Sequence, residues 1–167
     1  MQGINLKVIL LHSLVVVLAS YAFVALGYIY DMPLTELYLE TGDLTKFEQS
    51  ANMYQINSDR ISKFMEVHRY APFAGALFGV ALSFIALRKK KRGLQHTLIV
   101  LVIAVLLALG GILDMALVKN ILFAPGRLVS SSVMTVYTLS YLLLLGLSFW
   151  LAFLGKRISE TGSKNKV

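Results

Sequence analysis

Four stretches of the chain are apolar for long enough to cross a bilayer, and clusters of polar or charged residues separate them. The first runs over 8–28, from Val8 to Tyr28, with His12, Ser13, Ser20 and Tyr21 as its polar interruptions. It ends near Tyr28, Tyr30 and Asp31, where aromatic rings fit a headgroup belt. The second, 71–87, stops at the basic block Arg88, Lys89, Lys90, Lys91 and Arg92. The third, 97–118, closes at Lys119 and Asn120; the fourth, 129–154, closes at Gly155, Lys156 and Arg157, with Trp150 placed as an interfacial anchor. A helix needs roughly 17–25 apolar residues to span hydrocarbon, and each stretch is near that length. The pattern predicts an all-α integral membrane four-helix bundle forming one domain over 1–167.

Between the first two stretches lies a segment of different character, 31–70, too long to be a bare connection. Pro33 suits a helix start with Leu34, Leu37 and Tyr38 on one face, and Gly42 suits its stop. Asp43 is placed to cap a second helix carrying Leu44 and Phe47, and Ser58 a third on which Ile61, Phe64, Met65 and His68 share a face. These short helices are expected to lie across the outer mouth of the bundle, apolar face down. Pro72 then marks either the first turn of the second membrane helix or a kink in one continuous rod.

Composition agrees with lipid as the solvent, since 57% of the residues are hydrophobic and the mean hydropathy is +0.70. The net charge of +7 would invite a nucleic-acid reading only if the basic residues lined a solvent face, and here they flank apolar runs. Anionic lipid headgroups are the expected partners of the Arg88 to Arg92 block, and no nucleic acid is expected. Because Lys and Arg are retained on the cytoplasmic side, that block fixes the loop 88–96 inside, together with Lys7 and the tail 155–167, which carries Lys156, Arg157, Lys164 and Lys166. Both termini are then cytoplasmic. The tail from Ser159 onward reads as polar and loose. The 31–70 segment is net acidic and falls outside, and a bacterial or archaeal cytoplasmic (inner) membrane is the expected setting. The first stretch exceeds the roughly 7–15 residues of a signal-peptide core, so it reads as a retained helix.

Candidate chemistry is sparse. Cysteine is absent, which excludes disulfides, thiolate metal sites and thiol catalysis. No nucleophile motif, phosphate-binding glycine loop or carboxylate-histidine metal motif occurs, so no catalytic residue and no cofactor are assigned. Asp114 is the one acidic residue within an apolar stretch. It reads either as an interfacial anchor paired with Lys119, Arg127 or a tyrosine hydroxyl, or as the polar point of a ligand pocket. In the second case Tyr137, Tyr141, Tyr28 and Tyr21 would contribute hydroxyls, and His68, Arg69 and Arg127 charge. Ser130, Tyr137, Tyr141 and Ser148 fall on one stripe of the fourth helix, with Ser131 on a neighbouring one, although hydroxyl groups also serve as ordinary glue between membrane helices. Haem ligation by His12 and His96 is geometrically conceivable but unsupported by any motif. Gly75 and Gly79 form a small-xxx-small pattern and Gly110 with Gly111 a further notch, both readable as helix-packing sites.

Three classes of function follow. A non-catalytic accessory or scaffold subunit, with a partner membrane subunit or as a homo-oligomer, rests on the packing motifs and the missing catalytic constellation. A binding protein or membrane enzyme acting on an outer-leaflet lipid or quinone-like molecule rests on the groups around Asp114. Transport ranks last, because coupled transporters use ionisable residues at mid-depth or interrupted helices.

Overall fold

The computed structural model describes residues 4–90 and 92–164. Among these the chain forms seven α-helices and no strand: α1 (Leu6–Tyr30), α2 (Met32–Thr41), α3 (Leu44–Met53), α4 (Ser58–Leu87), α5 (Gly93–Leu109), α6 (Ala116–Val129) and α7 (Val133–Lys164), with one 3-10 turn, Ile112–Asp114, before α6. Three of them, α1, α4 and the Val133–Ile158 part of α7, are long and apolar enough to cross a membrane.

Helix α1 is the axle. It is apolar on every side rather than along a stripe, and a helix of that kind is stable only when covered all round. Helices α4 and α7 flank it along its length and α5 packs beside it, so that Val15, Val16, Ala19, Ala22 and Ala25 are fully enclosed. Asn5 starts it, its side-chain oxygen accepting from the amides of Lys7 and Val8. The close approach of α4 depends on two glycines. A Cβ on Gly75 would stand 2.5 Å from the Ala19 carbonyl oxygen, and one on Gly79 would stand 2.7 Å from the Val16 Cα. Ser20 Oγ donates to the Pro72 carbonyl at 2.9 Å across the same interface.

Several expected boundaries move. The second membrane helix does not begin at 71, because α4 runs unbroken from Ser58 through Pro72 to Leu87. Nor does it start on a Ser58 cap: Asn57 Oδ1 accepts from the Asp59 amide at 2.8 Å. The expected loop 88–96 shrinks, since α5 opens at Gly93, where a Cβ would lie 1.9 Å from the Leu87 carbonyl oxygen. The third apolar stretch is not one helix over 97–118. It ends at Leu109, turns at Gly110 and Gly111, and continues as α6. Gly111 has φ +69°, a left-handed conformation that glycine adopts without penalty. A Cβ on it would meet nothing within 4 Å, and one on Gly110 only Leu106 and Ile112 of the same segment, so this pair marks a chain break and not the expected packing notch. The fourth stretch does not begin at 129: Val129 ends α6 and Ser130 lies in the turn, its Oγ accepting from the Ser132 amide at 3.1 Å. Ser130 and Ser131 therefore leave the proposed helical stripe. Helix α7 also continues past 154 to Lys164, which replaces the expected loose tail over those residues; Lys91 and Lys166 lie outside the described residues.

The two ends of the bundle differ. At one end the Asn5 amide donates to His96 Nε2 at 3.2 Å and Gly155 lies against the His12 ring, which brings the beginning of α1, the α4–α5 turn and the later part of α7 together with their basic residues. At the other end, the cap end, lie α2, α3 and the first turns of α4. Asp31 caps α2 with Pro33 in its first turn, Gly42 (φ +62°) closes it, and Asp43 caps α3. Leu34, Phe47 and Phe64 form a small core there, joined by Leu37, Tyr38 and Ile56. The apolar faces of α2 and α3 thus pack on the first turns of α4, and α2 also meets the end of α1, where Thr35 Oγ1 donates to the Tyr28 carbonyl. Arg60 donates to both Asp31 oxygens, at 2.6 and 2.7 Å, tying the start of α4 to the start of α2. That guanidinium holds the Asp31 carboxyl below the usual carboxylate range.

Candidate functional site

A cleft of about 590 Å³ opens at the cap end. Its position follows from the two irregular features of the fold. Helix α4 rises beyond the end of α1 and carries Ser62, Phe64, Met65, Glu66, His68 and Arg69 along one wall. The break after α5 brings Asp114 and then Lys119 to the opposite rim, while Val24 and Tyr28 of α1 and Tyr38 of α2 line the remainder. The break is itself held from below. The enclosed Tyr21 hydroxyl donates to the Ile112 carbonyl and accepts from the Met115 amide at 3.1 Å, pinning both ends of the 3-10 turn.

One side of the cleft is a ladder of aromatic rings. Phe64 and His68 centroids are 4.1 Å apart, His68 meets Tyr28 edge-on at 4.8 Å, Tyr28 stacks on Tyr137 at 4.4 Å, and Tyr137 meets Phe123 edge-on at 5.4 Å. Such contacts fix ring orientation and each adds about 0.5–1.5 kcal/mol beyond burial. The ladder therefore forms a stiff wall running from the cap through α1 into α6 and α7. The rim is polar and charge-balanced: Arg69 and Lys119 face Glu66 and Asp114. Asp114 pairs with Lys119, and with its side chain 60% exposed it is an anchored surface carboxylate rather than an isolated buried charge. A balanced rim over an aromatic wall has no net attraction for a simple ion and is suited to an uncharged or zwitterionic occupant.

His68 is the exception within this wall. Its Nδ1 is 2.9 Å from the Phe64 carbonyl oxygen, but Nε2 is buried without any hydrogen-bond partner. Leaving a buried polar atom unpaired costs about 1–3 kcal/mol, so the atom marks a place where a partner would stabilise the fold.

Of the residues expected around a pocket, Asp114, Tyr28, His68 and Arg69 line the cleft. Tyr137 stands one ring behind, stacked on Tyr28. Tyr141 packs into the core cluster with Tyr28, Phe123 and Tyr137 and does not line the cleft. Tyr21 is engaged with the backbone of the turn, and Arg127 donates to Asn120 Oδ1 at 3.2 Å on exposed α6. Tyr38 and Glu66 were not expected. The signal for the α4 wall was present in the four-residue spacings Phe64/His68 and Met65/Arg69, which place each pair on one helical face; Tyr38 becomes a wall residue only because α2 folds back.

At the basic end, His12 is enclosed with both ring nitrogens unpartnered. His96 has none free, since Nε2 accepts from the Asn5 amide and Nδ1 donates to the Arg92 carbonyl at 2.7 Å. The two rings therefore do not present a pair of open ligands for a haem iron. Among the described residues no group of three or more His, Cys, Asp or Glu is placed to hold a metal ion. No family model, curated protein or solved structure matches the chain.

Proposed function

We propose that the protein is a four-crossing integral membrane protein, its basic end cytoplasmic, that holds the polar head of an uncharged or zwitterionic amphiphile of the lipid or quinone type in its outer cleft. Three crossings are the helices already long enough. For the fourth, α5 has 17 residues, about 25 Å at 1.5 Å per residue, and the 3-10 turn carries the chain the remaining distance to Asp114 at the cap end. Outward-facing Leu77, Ile85, Leu98, Leu106, Leu142 and Phe153 would meet acyl chains. The gathering of Lys7, Arg88, Arg92, Lys156 and Arg157 at one end supports the sidedness.

The observation that carries the ligand reading is the cleft itself, about 590 Å³ with an aromatic wall and a charge-balanced rim. A subunit or scaffold role loses one of its supports, because Gly75 and Gly79 are occupied by α1 and are not open to a second chain. An interrupted third helix is a feature shared with transporters, but this break lies at the cap end beside Asp114 rather than at mid-depth. No catalytic group is assigned.

The test is a titration of the protein in phosphatidylcholine nanodiscs with decylubiquinone and, separately, with short-chain phosphatidylethanolamine, followed by tyrosine and Trp150 fluorescence. At least one probe should bind saturably at one site. Ser62→Trp, which fills the cleft from an exposed position, should weaken that binding at least tenfold while leaving the melting temperature within a few degrees. Asp114→Asn, which unbalances the rim, should weaken it less. Binding unaffected by Ser62→Trp, or no saturable binding of either class, would dispose of the cleft as a ligand site.

A further inference from the structure

We infer that the cleft takes the phosphoethanolamine head of a membrane lipid, its phosphate on Arg69 and its primary ammonium on Glu66. The inference rests on the cleft being a ligand site, as proposed above, and specifies which class of occupant fits.

The four charges of the rim are not equivalent. Asp114 and Lys119 satisfy each other on one side. Glu66 and Arg69 stand on α4 at the other, both exposed and both lining the cleft, and neither has an ion-pair partner among the described residues. Residues three positions apart on a helix start their side chains about 5–6 Å from each other, near enough to pair. Instead the Arg69 guanidinium lies over the ring of Tyr70, 5.8 Å from its centroid, which leaves the N–H groups along its edge open. One wall of the cleft therefore carries an open anion site beside an open cation site.

Each class of head meets these two groups differently. An uncharged head, such as a quinone, takes water from both charges and pairs neither. An anionic head, such as phosphatidylglycerol, can meet Arg69 but brings its own charge beside the Glu66 carboxylate. A head that carries a phosphate and an ammonium close together pairs both at once: the guanidinium presents its fork to the phosphate oxygens, and the carboxylate accepts from the ammonium N–H groups. Full methylation of the amine removes those N–H groups. A quaternary ammonium would then depend on open aromatic faces, and the rings here are engaged with one another. Phe64 is 1% and Tyr28 7% exposed, Tyr28 is stacked on Tyr137, Tyr38 meets Phe47 edge-on, and the Tyr70 ring lies under Arg69. The walls thus favour a primary amine over choline.

The test places the intact protein in phosphatidylcholine nanodiscs containing stepped fractions of phosphatidylethanolamine or phosphatidylglycerol, and identifies the retained lipid by native mass spectrometry. The bilayer itself is the choline competitor, so a tenfold preference, the scale of one hydrogen bond to a charged group, puts half-saturation near about one phosphatidylethanolamine per ten phosphatidylcholines. Phosphatidylglycerol should need at least tenfold more. Glu66→Gln should lower retention of phosphatidylethanolamine to the level of phosphatidylglycerol, and Arg69→Gln should weaken it at least tenfold. Equal retention of the three lipids by the unaltered protein would overturn the inference, and so would a preference for phosphatidylethanolamine that survives Glu66→Gln. Displacement of the lipid by glycerophosphoethanolamine at equal concentration would overturn the membrane source in favour of a soluble ester. The lipid series on the unaltered protein decides the matter even if a variant does not fold. Saturable binding of decylubiquinone alone, or of phospholipid without head preference, counts against this inference alone; no saturable binding of any probe, or binding indifferent to Ser62→Trp, counts against the cleft itself.

Discussion

Replacing Gly75 by alanine adds one methyl group at the tightest point between α4 and α1, and the structure gives both its sign and its size. The new Cβ would stand 2.5 Å from the Ala19 carbonyl oxygen, 2.6 Å from Ser20 Cα and 2.9 Å from the Ala19 carbonyl carbon, all backbone atoms that no rotamer change can remove. Ordinary contact begins at 3.4 Å, so α4 would have to back away by about 0.9 Å along a face packed at interior density. Overpacking of this kind costs about 1–3 kcal/mol, and the better helix propensity of alanine returns up to about 1 kcal/mol, for a net loss of about 1–2 kcal/mol. In a protein of this size that lowers the melting temperature by roughly 2–8 °C. The control is Gly146→Ala on α7, where a Cβ meets nothing within 4 Å. The same substitution there should leave stability unchanged or raise it by up to about 1 kcal/mol. Far-ultraviolet circular dichroism melts in dodecyl maltoside compare the two. If Gly75→Ala melts at or above Gly146→Ala, the close approach of α4 to α1 is not what holds the bundle at this level.

Tyr21→Phe removes the hydroxyl that serves both ends of the Ile112–Asp114 turn, leaving the Met115 amide without its 3.1 Å partner. It should destabilise the protein by about 1–3 kcal/mol and speed hydrogen exchange selectively at 112–116; exchange that is unchanged there would show that the turn does not depend on Tyr21. The Asp31 carboxyl is held below its ordinary value of 3.8 by Arg60, so the stability it contributes is present above that value and is lost as pH falls through the lower, folded-state value. Proteolysis of the cap by pepsin should therefore rise as pH falls below 3.8 in the unaltered protein. In Asp31→Asn, which has no carboxylate to protonate, cleavage should already be high above that pH and change less across it; identical profiles would remove the pair from the cap's stability.

Much of the helical content was legible because apolar length and basic punctuation are strong signals. Pro33, Gly42 and Asp43 announced α2 and α3 through local chemistry alone, whereas the capping of α2 by Asp31 came only with the structure. The misplacements have physical causes. Pro72 allowed either a first turn or a kink in one continuous rod because it has no N–H to donate; α4 in fact runs through it unbroken, with Ser20 Oγ donating to the Pro72 carbonyl across the contact with α1. Gly110 and Gly111 are small residues in an apolar run, which fits both a close-packed helix and a break. What separates the two is a left-handed φ at Gly111, and nothing in the run of flanking leucines and isoleucines reports it. The cleft was legible only in part. Phe64, His68 and Arg69 share helical faces visible in the spacing, but their meeting with Tyr28, Tyr38 and Asp114 depends on α2 folding back and on the chain returning to the same end after α5.

The difference between the two ends of the bundle follows from where the chain can afford irregular backbone. At the basic end the α4–α5 turn is closed so tightly that Gly93 has no room for a Cβ against Leu87, and His12 fills the space beside Gly155. At the cap end the chain leaves the regular helical path twice, at the Gly110–Gly111 break and at the folded-back α2 and α3, while α4 keeps its path through Pro72. Tyr21 answers the first, donating to the Ile112 carbonyl and accepting from the Met115 amide, and Asp31 the second, accepting from the Leu34 amide. Among the described residues, His68 Nε2 in the aromatic wall and Ser140 Oγ beside Gly126 stay buried without a hydrogen-bond partner. Irregular backbone is thus gathered at the end where polar and charged side chains line the cleft, while the opposite end is closed by glycines packed against neighbouring backbone and rings.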